Sequence, residues 1–159
     1  MYMIDKKLIL EKLIENLRKE LLEVESAAKS TRDLVTADDL KSEGKYDTRA
    51  IEASYLASAQ LKRVEEIKTD ILMLEEIELV NSNKIQMGSL VLLEYNGASR
   101  YYFLTSTSGG TILMIDGNSI LVISVFSPLG NEALGLQVGE SFEIETPKEM
   151  RTYKIIELY

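Results

Sequence analysis

One short segment concentrates the side chains that could do chemistry. It holds four carboxylates and three cations within twelve residues, namely Asp38, Asp39, Lys41, Glu43, Lys45, Asp47 and Arg49. Carboxylate oxygens are the hard ligands that divalent cations take, and a carboxylate can also position or deprotonate a water. The competing interpretation is a solvated turn, because connections between helices are polar in general. Tyr46 is the aromatic residue of the segment, and it either packs under the turn or contacts a partner.

The residue types that are missing narrow the chemistry. The chain has no cysteine and no histidine, which excludes disulfides, thiolate zinc sites, cysteine nucleophiles and histidine-based triads. Its net charge of −8 argues against broad contact with nucleic acid, because such contact needs a Lys/Arg surface that neutralises phosphates. We therefore expect a protein partner, or a small basic patch, and any acid–base or metal chemistry must come from carboxylates, lysine, tyrosine or serine.

The composition and the lengths of the apolar runs indicate the solubility and the cellular location of the protein. A hydrophobic content of 45% and a charged content of 28% predict a folded, soluble protein. Residues 1–7 lack the apolar core of a signal peptide, and no apolar run approaches the roughly 20 residues that span a bilayer. We expect a cytoplasmic protein without a membrane partner.

Two long helices, at residues 5–34 and 48–80, are predicted to present the charged segment. In the first helix, apolar residues recur at intervals of seven and fill two seam positions: Leu10, Leu17 and Val24, then Leu13, Ala27 and Leu34. The apolar stripe is widened by Ile14, Leu21 and Ala28. The second helix repeats the pattern with Ala50, Ala57, Val64 and Ile71, then Ala53, Ile67 and Leu74. The pattern predicts an antiparallel coiled-coil hairpin over residues 1–80, about 45 Å long, with its tip at about 36–48. A rod of that length has little structural reason to exist unless its tip reaches a partner.

Residues 84–159 are predicted to form a small β domain. The strands are expected at 90–95, 100–106, 111–115, 120–125, 140–145 and 152–158. Asn96-Gly97 and Asp116-Gly117 are hairpin signals, and Ser127–Gly130 is interpreted as a turn before a short helix at 131–136. The aromatic residues are expected in the core or on strand faces: Tyr95, Tyr101, Tyr102, Phe103, Phe126 and Phe142. The predicted fold class is α+β, a helical hairpin followed by a mostly antiparallel β domain with one short helix.

Several motifs of this chain resemble those of one known family. The stretch Ser127–Glu140 is similar to S-P-L/I, a short helix, then L-x-G-x-x-x-G-D/E, and Gly88-Ser89-Leu90-Val91 is similar to an opening G-S-x-V. At the tip, Asp39 and Tyr46 match the ends of D-x-x-E-N-A-E-Y. Together with the architecture, these motifs resemble the Gre transcript-cleavage factors of bacterial RNA polymerase, the GreA/GreB family.

The resemblance implies a fold, a partner and a site. It implies an FKBP-like β domain that docks on RNA polymerase, and a hairpin that enters the secondary channel of that enzyme. Its tip carboxylates, here Asp39 and Glu43, would be the catalytic and metal-binding residues, sharing Mg²⁺ with the polymerase active site. The other contacting residues of the tip would be Asp38, Lys41, Ser42, Lys45, Tyr46, Asp47 and Arg49. A monomer without a tightly bound cofactor is expected, which meets nascent RNA only indirectly and stimulates the polymerase rather than being an enzyme.

The tip departs from the family pattern at one acid. The second acid of the pattern falls on Ser42, and Glu43 follows one residue later, which turns a side chain by about 100° on a helix. If Glu43 does not replace the lost acid, the protein would enter the channel and regulate polymerase without cleavage. A further alternative is an unrelated interaction or dimerisation module. A β-domain enzyme with a helical appendage is the weakest alternative, because no nucleophile constellation is recognisable.

Overall fold

The computed structural model describes residues 3–41 and 48–159, with side chains described for 3–34 and 51–159. Two compact units are present: Ile14–Leu72 is one, and Met1–Leu13 together with Met73–Tyr159 is the other. The first is helical, and the second contains the sheet. The α+β prediction, with a long helical hairpin, a β domain and one short helix, is confirmed. No helix in the described ranges is long and apolar enough to cross a membrane.

Two long helices, α1 (Lys6–Lys41) and α2 (Thr48–Glu75), make up the hairpin. The predicted end of the first helix at residue 34 is wrong, because neither glycine nor proline interrupts the chain before Gly44 and the helix continues to Lys41. The second helix ends five residues before the predicted limit of 80. Glu75, Glu76 and Glu78 crowd acidic groups at the negative end of the helix dipole, which disfavours further turns.

The seam of the helical unit is apolar and tightly buried on α2. Val64, Ile67 and Ile71 are buried at the predicted positions, while Ala53 and Ala57 are half-buried. On α1 beyond Val24, Ala28 is buried as part of the predicted stripe, and Thr31 is buried as well. Ala27 and Leu34, which were predicted at a seam position, are exposed, so that part of the prediction is wrong. A strict seven-residue repeat drifts around a straight helix of 3.6 residues per turn, so the buried face moves by one position.

Ion pairs flank this seam on the two helices. The Arg63 Nε donates to Glu20 Oε1 at 3.1 Å, and the Lys68 Nζ lies 3.9 Å from Glu25 Oε1. All four side chains are substantially exposed, and exposed pairs contribute about 0–1 kcal/mol each. The seam therefore holds the helices together, and the pairs help to fix which residues face one another.

The sheet contains six strands within residues 84–159, all of which the structure describes. They are β1 (Leu90–Tyr95), β2 (Ala98–Thr105), β3 (Ile112–Ile115), β4 (Asn118–Ser124), β5 (Ser141–Glu145) and β6 (Met150–Leu158), in the order β3-β4-β2-β1-β6-β5. The turns Asn96-Gly97 and Asp116-Gly117 have positive φ at both residues, as the predicted hairpins require. The pair β2–β4 is parallel and the other pairs are antiparallel, which agrees with the predicted mostly antiparallel sheet.

A short helix, α3 (Pro128–Ala133), covers one face of the sheet. It begins three residues earlier than predicted, and Ser127–Gly130 is its cap and first turn rather than a free turn. The Ser127 Oγ accepts a hydrogen bond from Gly130 N at 3.1 Å, and Pro128 at the first helical position has no N–H to satisfy. Ala133 then packs into the core with strand residues that include Leu93 and Ile155.

Candidate functional site

The charged tip begins inside a helix. Asp38, Asp39 and Lys41 lie in the last turn of α1, and Arg49 lies in the first turn of α2. Consecutive helical positions are about 100° apart around the axis, so Asp38 and Asp39 occupy different positions around α1. Ser42, Glu43, Lys45, Tyr46 and Asp47 fall outside the described residues, and the pairing of Asp39 with Glu43 stays a prediction.

Three charged residues of the tip occupy positions that the helix dipoles disfavour. Carboxylates are disfavoured at a helix C-terminus and cations at an N-terminus, each by about 0.3–1 kcal/mol when exposed. Asp38 and Asp39 stand at the C-terminus of α1, and Arg49 stands at the N-terminus of α2, whose first turn has no acidic residue. Lys41 is the charge that suits its position. For these three residues the helix dipoles do not account for the charges, which agrees with the functional interpretation of the segment.

The β domain contains a network of polar side chains that joins β1 to the β5–β6 turn. Tyr95 Oη donates to Glu149 Oε1 at 2.6 Å, and Arg151 Nε donates to the same oxygen at 3.1 Å. The guanidinium carbon of Arg151 also lies 5.2 Å from the centroid of the Tyr95 ring, which itself lies 5.2 Å from the Tyr153 ring. Each polar group of this network is paired with another of the same chain, so the network locks the β5–β6 turn onto β1 and leaves no group poised for catalysis.

The titration of this network follows from its hydrogen bonds. The bond from Tyr95, and then the bond from Arg151, lower the pKa of Glu149, because both donors favour the carboxylate. The bond to Glu149 raises the pKa of Tyr95, since loss of the phenol proton would place two anions together. Both groups therefore keep their ordinary charge states near neutral pH, which is typical of a structural network.

A cavity of about 610 Å³ lies beside the first turn of α1, lined among others by Ile4, Lys6, Leu79 and Tyr159. Burial lowers the pKa of Lys6, whose Nζ donates to the Val80 carbonyl oxygen at 3.2 Å. No nucleophile with an adjacent base lines it among the residues described. Among the described side chains there is also no group of three or more acidic residues that could hold a metal ion.

Phe126 is the aromatic residue whose predicted place is wrong. Phe103 is fully buried and Tyr102 and Phe142 are buried, but the Phe126 side chain is 77% exposed next to the cap of α3. Its backbone N–H donates to Ser124 Oγ at 3.1 Å, which turns the chain out of the sheet at that point. Sequence reasoning also missed Tyr55 of α2, which is 75% exposed; the signal that marks it is the lack of charge in the surrounding residues 53–61.

Comparison with known proteins adds to this geometry. A family model described as transcription elongation factor, GreA/GreB, C-terminal, matches residues 80–159. A transcription elongation factor GreA of Christiangramia forsetii is 31% identical over 123 residues, which cover 76% of this chain and 73% of the relative. The transcription inhibitor protein Gfh1 of Thermus thermophilus is 26% identical over 155 residues, which cover 94% of this chain and 92% of the relative. A solved structure of the transcription factor Gfh1 aligns over 92% of both chains at 22% identity, with a TM-score of 0.41.

Proposed function

This chain belongs to the GreA/GreB family of transcription elongation factors, and from that membership we propose that it binds bacterial RNA polymerase and inserts its hairpin tip into the secondary channel. The observation that carries the proposal is the position of Asp38 and Asp39. They stand at the far end of an uninterrupted 36-residue helix, against its dipole, on a chain of this family. The protein acts as a monomer in the cytoplasm and meets nascent RNA only inside the polymerase.

The tip residues divide into two roles. Asp39 and Glu43 are the acids that act at the reacting centre, and their carboxylates are the oxygen donors that Mg²⁺ takes. When bound between them and the polymerase, that ion would polarise a water for hydrolysis of backtracked RNA. Asp39 has a defined backbone position because the helix that carries it is continuous. The remaining tip residues contact the channel or the RNA: Asp38, Lys41, Ser42, Lys45, Tyr46, Asp47 and Arg49.

A second candidate is a regulator that enters the channel without stimulating cleavage. Ser42 favours it, because loss of one carboxylate weakens both the charge and the geometry of a hard-metal shell. A relative, Gfh1, aligns over 94% of this chain and is named a transcription inhibitor protein. In this candidate the hairpin binds in the same place, and the difference lies only in what its tip does there.

One experiment separates these candidates. Stalled polymerase complexes with backtracked RNA are incubated with Mg²⁺ and the wild-type protein, and the shortening of the RNA is followed. We expect cleavage to be accelerated, and Asp39→Ala and Glu43→Ala each to lower that acceleration by at least about tenfold, as for loss of a transition-state contact. Asp33→Ala, which removes an exposed carboxylate of α1 away from the tip, is the matched control and should keep full activity.

Binding to polymerase without cleavage by the wild type would favour the non-cleaving regulator. Absence of binding to polymerase would contradict both candidates and leave an interaction module unrelated to transcription.

A further inference from the structure

One part of α2 differs in charge from the rest of the hairpin. Residues 53–61 form a run of nine uncharged residues, whereas no other uncharged run within α1 or α2 exceeds four residues. The run lies in the half of α2 nearest the tip. Elsewhere the outward faces of both helices carry closely spaced Lys, Arg, Asp and Glu, as expected for a solvated rod.

A stripe of residues that begins at Ile51, just before the uncharged run, and continues through it lies outside the seam. The outward stripe consists of positions separated by three or four residues, Ile51, Ser54, Tyr55, Ser58 and Leu61. Residues so spaced lie on one side of a helix. At about 100° per residue, Ile51 and Tyr55 lie on the side roughly opposite the half-buried Ala53 and Ala57. Leu61 lies nearer the edge of the seam. Its large side chains are open to solvent, with Tyr55 75%, Ile51 48% and Leu61 47% exposed. The first four residues of the stripe line a shallow groove of about 340 Å³.

This stripe has the pattern of a helix that docks into an apolar surface. Helices recognised in this way present anchors at i, i+3, i+4 and i+7, and Tyr is among the residues enriched where protein interfaces bury their core. We propose that the outward stripe is a second contact of the hairpin with RNA polymerase, seated against an uncharged protein surface beside the channel. The proposal rests on the proposed function, and it adds a partner surface that the tip residues do not provide.

The chemistry of the stripe favours protein over nucleic acid as the occupant. Affinity for RNA or DNA comes mainly from cations that neutralise phosphates, and the stripe has none between Arg49 and Lys62. An uncharged surface with serines between apolar anchors is instead complementary to an uncharged surface of another protein. The stripe also begins two residues after Arg49, so it continues directly from the predicted contact surface of the tip.

The size of the stripe favours polymerase over a second copy of this chain. The stripe spans ten helical steps, or about 15 Å, and an aromatic side chain buries on the order of 150–250 Å². Two such stripes facing each other fall well short of the roughly 1,200–2,000 Å² that stable interfaces bury. A patch of this size contributes to affinity when it forms part of a larger interface, such as that between the hairpin and the channel of polymerase.

The test measures binding of the full-length protein to core RNA polymerase. The variant Ile51→Gln/Tyr55→Gln keeps the helix and removes the two largest anchors nearest the tip. We expect its affinity for polymerase to fall by about tenfold or more, as for loss of central interface anchors, with the helical circular dichroism and the melting temperature unchanged. Leu72→Gln is the matched control: it removes an exposed apolar residue of α2 that is 59% exposed and lies outside the stripe, and its affinity should stay within about twofold of wild type.

Several results would overturn the proposal. Equal affinity of the double variant and the wild type would show that the stripe is not a contact, while leaving the proposed function intact. An equal loss of affinity in Leu72→Gln would mean that any exposed apolar residue of α2 contributes to binding, and that the stripe has no specific role. A wild-type dimer in sedimentation that becomes monomeric in the double variant would assign the stripe to a second copy. Failure of the wild type to bind polymerase would instead contradict the proposed function itself.

Discussion

At the scale of single residues, Ser42 is the position at which the two proposed functions, stimulated cleavage and regulation without cleavage, make different demands. The family pattern places an acid there, and the chain supplies Glu43 one residue later. A helical continuation of α1 would separate these two positions by about 100°, so Glu43 and the family acid would not point alike. For the proposed cleavage activity, we therefore expect the identity of residue 42 to matter more than the total number of acids at the tip.

Restoring the acid gives the first prediction at this scale. Ser42→Glu should raise the rate of RNA cleavage in stalled polymerase complexes by about tenfold or more, because it returns a hard oxygen donor to the position that the pattern requires. The rate is measured against Ser42→Gln, which has the same length without the charge. A gain in both variants, or in neither, would contradict a role for the carboxylate at residue 42.

Tyr159 offers a residue-scale prediction of pH dependence. Its hydroxyl donates to Glu157, which together with burial raises the pKa of Tyr159 to about 12 from the ordinary value of 10.0. A pKa that is higher in the folded state stabilises the fold below the unfolded pKa, and this contribution is lost as the pH rises from about 10 toward 12. The stability difference between wild type and Tyr159→Phe, measured by urea unfolding, should therefore shrink across that range. A difference that grows with pH would contradict the assignment, and Tyr55→Phe, at an exposed tyrosine, is the control.

At the scale of elements, the first turn of α3 depends on the absence of a side chain at Gly130. A Cβ at Gly130 would lie 2.1 Å from the Ser124 carbonyl oxygen, far inside van der Waals contact. That oxygen is held in place because it accepts hydrogen bonds from Ser127 N at 3.0 Å and from Ser127 Oγ at 2.6 Å. The helix therefore sits on the end of β4 at a distance that only glycine permits.

The corresponding prediction is a loss of stability without a change in the hairpin. Gly130→Ala should lower the free energy of unfolding of the β domain by about 3 kcal/mol, at the upper end of overpacking costs, because backbone must shift rather than a flexible side chain. Asn131→Ala, at an exposed position of the same helix, should cost little. Thermal unfolding followed by near-ultraviolet circular dichroism reports on the domain, and an equal change in both variants would contradict this account.

Elements also show which structure could be predicted from the sequence. The six strands and both glycine hairpins were predictable because β-rich runs and positive-φ turns are local signals. The start of α3 was not, since Ser-Pro-Leu-Gly contains two helix breakers that here serve as the first helical residue and a packing contact. The parallel pairing of β2 with β4 was not predictable either, because an apolar run does not specify its neighbour. In α1, Ala27 and Ala28 are adjacent and identical in type, so residue type does not indicate which of them is buried. The helix has 3.6 residues per turn and not the 3.5 of a strict heptad, and this difference places Ala28 in the seam.

The candidate site was predictable to a different degree. The charged tip was found from residue types alone, and the structure adds the helical positions of Asp38, Asp39, Lys41 and Arg49. The outward stripe was missed because its residues alternate with those of the α2 seam, and apolar residues on a helix are attributed to the core first. The difference between seam and stripe is one of exposure, which the sequence does not state.

At the scale of the whole molecule, the charge distribution limits what the protein can bind. Both parts of the chain are acidic: residues 1–83 carry 13 basic and 18 acidic residues, and residues 84–159 carry 5 and 8. An acidic chain repels phosphates, so its encounter with RNA needs another molecule that brings the RNA to it. In the proposed function the polymerase would meet this need, because it would hold the RNA at the site into which the tip is inserted.

The last prediction follows from that limit. The protein alone should show no binding to single-stranded RNA or duplex DNA at physiological salt, where even basic proteins bind nonspecifically with dissociation constants of only about 10⁻⁴–10⁻⁶ M. It should bind core polymerase, and lowering the salt should not create affinity for free RNA. Fluorescence anisotropy with labelled RNA, labelled DNA and labelled protein against polymerase measures the three cases. Binding to free RNA that is lost in Lys41→Ala/Lys45→Ala would mean that the tip acts as a local basic patch. The net negative charge of the chain would then not prevent binding to nucleic acid.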